Sequence, residues 1–89
     1  MKFEFTKRFQ KEYKQLSISK KLNSSFEEVI ANITNAKKIS DIKNIKKLSG
    51  FKVYFRIRIG TYRIGVKIEN ETVIFAAFDN RKDIYKRFP

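Results

Sequence analysis

The run from Tyr54 to Ile68, YFRIRIGTYRIGVKI, alternates polar and apolar residues on both sides of a Gly-Thr pair. Alternation at period two marks a half-buried strand, because successive side chains leave a pleated backbone on opposite faces. A Gly-X pair between two such runs predicts a two-residue type II′ hairpin, since glycine enters the positive-φ region of the first turn position without a Cβ clash. With Gly60 and Thr61 as the turn, opposed positions sum to 121. Ile59 then faces Tyr62, Ile57 faces Ile64 and Phe55 faces Val66, an apolar face along both strands. On the other face Arg58 meets Arg63, Arg56 meets Gly65 and Tyr54 meets Lys67. Both strands agree on this one register.

The register creates an electrostatic problem. Like charges directly opposed on a sheet destabilise it by a few tenths to about 1 kcal/mol. The hairpin strands carry no carboxylate, and Glu69 and Glu71 fall in the far turn. Either the guanidinium groups splay into solvent or pair with acids from elsewhere in the chain, or an anion belongs among them. Guanidinium suits phosphate, because its planar donors bind two oxygens together and stay charged at any relevant pH. Gly65, opposite Arg56, is expected to leave an open floor for a backbone or a base.

The chain of 89 residues is predicted to be one domain, residues 1–89, with an apolar fraction of 42% that is too high for disorder. Its formal charge of +12 is uneven: residues 1–36 hold 7 basic and 4 acidic side chains, and residues 37–89 hold 14 and 5. That is +3 against +9, and an excess of this size predicts a polyanionic partner. Cysteine and histidine are both absent. No thiolate chemistry, disulfide or imidazole base is available, and neither a metal site nor a cofactor is expected. No apolar run approaches the roughly 18 residues of a membrane span, so a cytoplasmic protein with no membrane contact is expected.

The segment KFEF reads as a short strand. Thr6 is placed to cap a helix from about Lys7 to Leu16, and Ser17 or Ser19 to start a second. Ile18, Leu22, Phe26, Val29, Ile30 and Ile33 form the second helix's apolar stripe. From Asn35 to Gly50, the spacing of three between Ile39, Ile42, Ile45 and Leu48 predicts a loop or helical turn. Lys37, Lys38, Lys43, Lys46 and Lys47 project from it. Three strands follow, at about Lys52 to Ile59, Tyr62 to Ile68 and Thr72 to Phe78, the last two joined by Glu69-Asn70-Glu71. Asp79 or Asn80 is placed to cap a short helix, RKDIYKRF, with Asp83 in a capping-box position. The layout is βααβββ, an α+β fold with a helical hairpin on one face of a mainly antiparallel four-stranded sheet and a short C-terminal helix.

Cleaving RNA requires an attacking 2′-OH, stabilisation of the phosphorane's charge and protonation of the leaving oxygen. Arg56, Arg58 and Arg63 are placed to supply the second by preorganised electrostatics. Arginine does not deprotonate in proteins, so proton transfer falls to Lys52, Lys67, Tyr54 or Tyr85. Lys52, Tyr54, Lys67, Lys46 and Lys47 are the expected substrate-binding residues.

The runs IKKLSGFKVYFRIRIGTYRIGVKI and VIFAAFDNRKDIYKRF, with FTKRFQKEYKQL as the opening helix, resemble the RelE/ParE superfamily of toxins from type II toxin–antitoxin systems. The resemblance covers essentially the whole chain. It implies a RelE-like, microbial RNase-like fold that uses no metal or cofactor. By position, Arg56 and Arg58 match the alternate basic residues of the strand before the hairpin, and Arg63 the arginine after the turn. Arg81 matches the arginine before the last helix, and Tyr85 the C-terminal tyrosine that acts on or stacks against the substrate nucleotide. Many members carry histidine where this chain has Asn80, and lysines where it has strand arginines.

The resemblance implies a ribosome-dependent mRNA endoribonuclease that inhibits translation, with the ribosome and mRNA as partners. It also implies an acidic cognate antitoxin, with operator DNA bound only by the toxin–antitoxin complex. A non-nucleolytic inhibitor of DNA gyrase is the alternative implied by the ParE branch. A third reading is a toxin-like scaffold whose basic face only binds antitoxin and operator DNA.

Overall fold

A computed structural model of the chain describes residues 1–16, 19–80, 84, 88 and 89. Helix α1 spans Lys7–Leu16. It begins there because the Thr6 hydroxyl accepts the Phe9 N–H at 3.1 Å, satisfying one of the donors that a helix N-terminus leaves free. Helix α2 spans Lys20–Asn35 and is capped by Ser19, whose hydroxyl accepts the Leu22 N–H at 3.0 Å. Ser17 and Ile18 lie outside the described residues. Leu22 and Ile33 are buried on the expected stripe, with Phe26, Val29 and Ile30 packed beside them. At the C-terminal end of α2 the Met1 α-amino group donates to the carbonyls of Ile33 at 2.9 Å and Ala36 at 2.7 Å. A cation is favoured there by the unpaired carbonyls and the helix dipole. Tyr13 of α1 donates to Asn23 Oδ1 of α2 at 2.6 Å. Burial first, and then the Glu27 carboxylate, push its phenol above the ordinary value and keep that donor protonated.

Both helices pack on one face of a sheet ordered β1-β5-β4-β3-β2. The strands are β1 (Lys2–Phe5), β2 (Ile45–Lys47), β3 (Tyr54–Ile59), β4 (Tyr62–Glu69) and β5 (Thr72–Asn80). β1 runs parallel to β5, and the remaining pairs are antiparallel. The α+β expectation holds, but the sheet has five strands instead of four. The extra strand, β2, sits on the segment read as a loop or helical turn. A single 3-10 turn does form at Ile39–Asp41, where a repeat of three matches three residues per turn. At Ile45 the edge of β3 captures the chain, pairing Ile45 with Ile57 and Lys46 with Arg56. Three residues are too few to display a period of two, so the strand had no visible signature.

The hairpin register is the expected one, from Tyr54 opposite Lys67 through Arg58 opposite Arg63 to Ile59 opposite Tyr62. Gly60 has φ +61°, as the first position of a type II′ turn requires. The next connection is shorter than expected. Glu69 pairs with Thr72, leaving Asn70 and Glu71 alone at φ 52° and 57°, the pattern of a type I′ turn.

β5 runs two residues further than the sequence suggested. Asp79 and Asn80 pair with Arg63 and Tyr62 in the sheet, and do not cap a helix. A register shift lies between Gly65 and Val66, where Ala76 on β5 is the extra residue. The bulge lets Val73 and Phe75 on one side of it, and Phe78 on the other, all face the helices. Beyond Phe5, β1 no longer covers the outer edge of β5, and α1 takes over. Glu12 accepts the Phe78 N–H at 3.0 Å, and Thr6 donates its N–H to the Phe75 carbonyl at 3.0 Å. The expected C-terminal helix, including its Asp83 capping position, falls mostly outside the described residues. Of its described members, the Phe88 N–H donates to the Ile84 carbonyl at 2.9 Å. Among the described residues, no helix is long and apolar enough to cross a membrane.

Two stability changes follow from these contacts. Glu12→Ala strips a charged acceptor from a partly buried backbone N–H and is expected to cost about 1–3 kcal/mol in urea denaturation, with Glu12→Gln recovering part of it. Glu71→Gly relieves a left-handed backbone position and is expected to raise stability by about 1 kcal/mol in the same assay.

Candidate phosphate-binding face

The sheet face opposite the helices carries three cross-strand rows. One runs from Arg58 through Arg63 to Asp79, the next from Lys46 through Arg56 and Gly65 to Ala77, and the third from Tyr54 through Lys67 to Ile74. Asn44 stands at the outer end of the first row, accepting the Arg58 N–H at 3.1 Å. The face gathers five basic side chains in sequence-predicted positions: Lys46, Arg56, Arg58, Arg63 and Lys67. Among its acidic members, Glu4 lies opposite Ile74 and Glu69 pairs with Lys67, while Asp79, beside Arg63, was read as a helix cap. Because β5 is longer than the sequence suggested, a carboxylate stands beside Arg63 on the side away from Arg58.

Asp79 does not close the problem of the opposed arginines. Among the described residues, Arg56, Arg58 and Arg63 form no ion pair with a carboxylate. Arg63 Nη1 reaches the Tyr62 carbonyl at 3.2 Å, and Arg56 Nη1 the Asn44 carbonyl at 3.5 Å. The Nε atoms of both Arg56 and Arg63 are buried and have no hydrogen-bond partner among the described residues. A charged donor withdrawn from water without an acceptor costs free energy, and an oxyanion placed between these two side chains removes that cost. Arg56 and Arg63 are diagonal neighbours on adjacent strands, a separation of about 7–8 Å. Side chains on such neighbours can converge on one phosphate, each guanidinium taking separate oxygens.

The floor of the face is not the open one expected at Gly65. Gly65 is buried, and a Cβ built there meets the Phe88 ring at 2.6 Å. Glycine is required so that the C-terminal aromatic ring can lie on the sheet. Phe88 and Ile84 form a second small core with Ala77, against which Leu48, Tyr54 and Ala76 pack. Arg56 lines a cleft of about 380 Å³ with Lys46, Lys47, Phe51 and Phe88. Arg58 lines a different one, of about 220 Å³, with Glu28, Asn32, Lys43 and Asn44. Arg56 and Arg58 therefore do not share a pocket.

The other expected site residues divide. Tyr54 lies between two rings, edge-on to Phe51 at 5.5 Å and to Phe88 at 5.6 Å. The Lys67 ammonium is engaged by Glu69 at 3.3 Å. Lys52 precedes β3 on an exposed loop beside Lys47 and Phe51. Arg81 and Tyr85 lie outside the described residues. Sequence reasoning missed Phe51, Phe88 and Asp79. Phe51 carried a signal, an aromatic directly after a Ser-Gly turn among lysines, whereas the burial of Phe88 on Gly65 is a purely tertiary event.

Comparison with known proteins places the chain and its fold in a family. The family described as the ParE toxin of type II toxin–antitoxin system, parDE, matches residues 3–85. A curated protein named Toxin RelE3 from Methanocaldococcus jannaschii is 37% identical over 90 residues, covering the whole of both chains. The RelB-RelE antitoxin–toxin complex from Methanococcus jannaschii contains a chain 34% identical, with a TM-score of 0.76 over 96% of this chain and 98% of that one. The isolated RelE toxin of E. coli shares the fold at 14% identity, with a TM-score of 0.67 over 96% of this chain and 90% of that one.

If an anion belongs between the arginines, relieving their repulsion trades binding for stability. Arg58→Ala is expected to raise stability by a few tenths to about 1 kcal/mol in urea denaturation. The same variant should elute from heparin at lower salt than the wild-type chain.

Proposed function

The chain belongs to the ParE toxin family of type II toxin–antitoxin systems, and from that premise we propose that it is a toxin that cleaves mRNA on the ribosome. The observation that carries this reading is the pair of buried, unpartnered Nε donors of Arg56 and Arg63 on a strongly basic sheet face. Donors fixed before the substrate arrives stabilise a pentavalent phosphorane without reorganising during the reaction. The 2′-hydroxyl of one nucleotide gives its proton to a base as its oxygen bonds to the adjacent phosphorus, the bond from phosphorus to the 5′-oxygen of the next nucleotide breaks, and that oxygen takes up a proton from an acid. Arg56 and Arg63 hold the scissile phosphate, and Arg58 and Lys46 hold its neighbours along the strand. Lys47, Lys52 and Lys67 add positive field at the edge of the face.

Proton transfer needs a group other than arginine. The ammonium of Lys67 is engaged by Glu69, and Tyr54 is wedged between aromatic rings. Lys52 and Tyr85 are the candidates left for proton transfer, and by the family resemblance Tyr85, with Arg81 as a further phosphate-binding cation, completes the site in this reading. No metal and no cofactor enters the scheme. The whole chain acts as one toxin domain in the cytoplasm. An acidic antitoxin neutralises it, placing carboxylates where phosphate otherwise sits, and the toxin–antitoxin complex binds operator DNA.

A second reading is kept because the matching family bears the name of ParE. In it the same basic face inhibits DNA gyrase without cutting RNA. Inducing the chain in cells and mapping mRNA ends separates the two. Cuts confined to ribosomal A-site codons are the expected result. Their absence, with an SOS response and trapped gyrase cleavage complexes, replaces the first reading by the second. Arg63→Ala is expected to abolish toxicity while leaving stability in urea unchanged or raised by up to about 1 kcal/mol, since the same opposed pair is relieved; retained toxicity removes Arg63 from the site.

A further inference from the structure

We infer that the cleft bordered by Phe51, Lys46, Lys47, Arg56 and Phe88 is a subsite for one nucleotide of single-stranded RNA, whose base stacks on Phe51. The inference rests on the mRNA reading for its biological substrate, and on four observations for its chemistry. The cleft measures about 380 Å³. That lies within the roughly 300–1,000 Å³ of small-ligand sites. Three of the residues around it are cationic, and it opens on the most basic part of the chain. The Arg56 Nε is buried without a partner on the same side of the sheet.

The fourth observation is Phe51 itself. It is 43% exposed, whereas Phe88 is 7% exposed. The other exposed aromatics, Phe3 and Phe5, touch each other and the aromatic core under the helices. Phe51 instead stands among lysines. A turn holds it there: the Phe51 N–H donates to the Leu48 carbonyl at 3.3 Å, and Gly50 sits at φ +84°. That φ belongs to the third residue of a type II turn, which glycine occupies without strain. Tyr54 then contacts the Phe51 ring edge-on at 5.5 Å. The ring is braced from one side and still open to solvent.

An apolar ring braced in water, rimmed by ammonium and guanidinium groups, matches a nucleotide. The base has a π-face for Phe51 and the phosphate an acceptor for Arg56 and Lys46. Stacking on an aromatic side chain tolerates any base, so the subsite sets affinity and the path of the strand more than sequence preference. With Arg56 shared between this cleft and the Arg63 phosphate position, the stacked nucleotide is adjacent to the scissile phosphate.

The test uses the full-length toxin and a short single-stranded RNA containing 2-aminopurine, whose fluorescence is quenched on stacking. Wild type is expected to bind and quench. Phe51→Ala is expected to bind about fivefold to a hundredfold more weakly and to lose the quench, while Phe51→Tyr keeps both. Arg56→Ala is expected to flatten the salt dependence of binding by about 0.7 in log–log slope. Phe51 is half exposed, so its truncation leaves folding intact, which the urea midpoint checks. Unchanged binding and quenching in Phe51→Ala overturns the subsite, whether or not the wild type cuts mRNA. A Phe51→Ala defect confined to an acidic peptide, with RNA binding intact, overturns it in favour of an antitoxin contact. Quenching that depends on Phe51 in a protein that makes no A-site cuts upholds the subsite and removes the cleavage reading instead.

Discussion

The two-residue turn at Gly60-Thr61 governs most of what this molecule presents to a partner. A slip of one residue there would move every side chain of β3 to the opposite face relative to β4. In the observed register, Phe55, Ile57, Ile59, Ile64 and Val66 enter the core beneath the helices, and Arg56, Arg58 and Arg63 stand together on the far side. The apolar side fixes the register, and the charged side is carried along with it. Burying an isoleucine is worth about 1.5–3 kcal/mol. Opposing two arginines costs a few tenths to about 1 kcal/mol. The core therefore wins, and a like-charge pair persists that no described carboxylate neutralises.

The far face is not simply a solvated surface. The C-terminal residues Ile84 and Phe88 lie on its centre, and Gly65 is the residue whose missing side chain makes room for the Phe88 ring. The basic residues divide between clefts: Arg56 lines one with Lys46, Phe51 and Phe88, and Arg58 lines another at the sheet edge with residues of α2. On the same face the Nε atoms of Arg56 and Arg63 are shut off from water, with no acceptor among the described residues. A toxin built this way keeps a net charge of +12 and a set of unpaired donors. In the proposed function an acidic antitoxin relieves both at once, so the features assigned there to RNA also favour the antitoxin complex.

Much of the architecture was legible because it rests on local rules. Thr6 and Ser19 are good caps, the Leu22 to Ile33 stripe has helical spacing, and Gly60 admits few turn types. The misreadings have physical causes. β2 is three residues long and exists because β3 offers an edge, so its lysines and isoleucine carried no pattern of their own. Asp79 and Asn80 looked like helix caps, since short polar side chains favour caps, but pairing with Arg63 and Tyr62 holds them in the sheet. The bulge at Ala76 changes which parity of β5 faces inward, and a period-two reading breaks at that point. Within the site, the arginine positions were legible and their environments were not. Phe88 on Gly65, and Asp79 beside Arg63, depend on contacts between segments distant in the chain.

The amino-acid sequence alone determined the α+β class, the hairpin register and the basic character of one sheet face. Each follows from turn chemistry, side-chain alternation or charge count within a short stretch. Only the tertiary structure decided which arginine lines which cleft, which donors are stripped of water and which aromatic ring stays open to solvent. Those properties are set by burial, and burial at one residue depends on where the rest of the chain comes to rest.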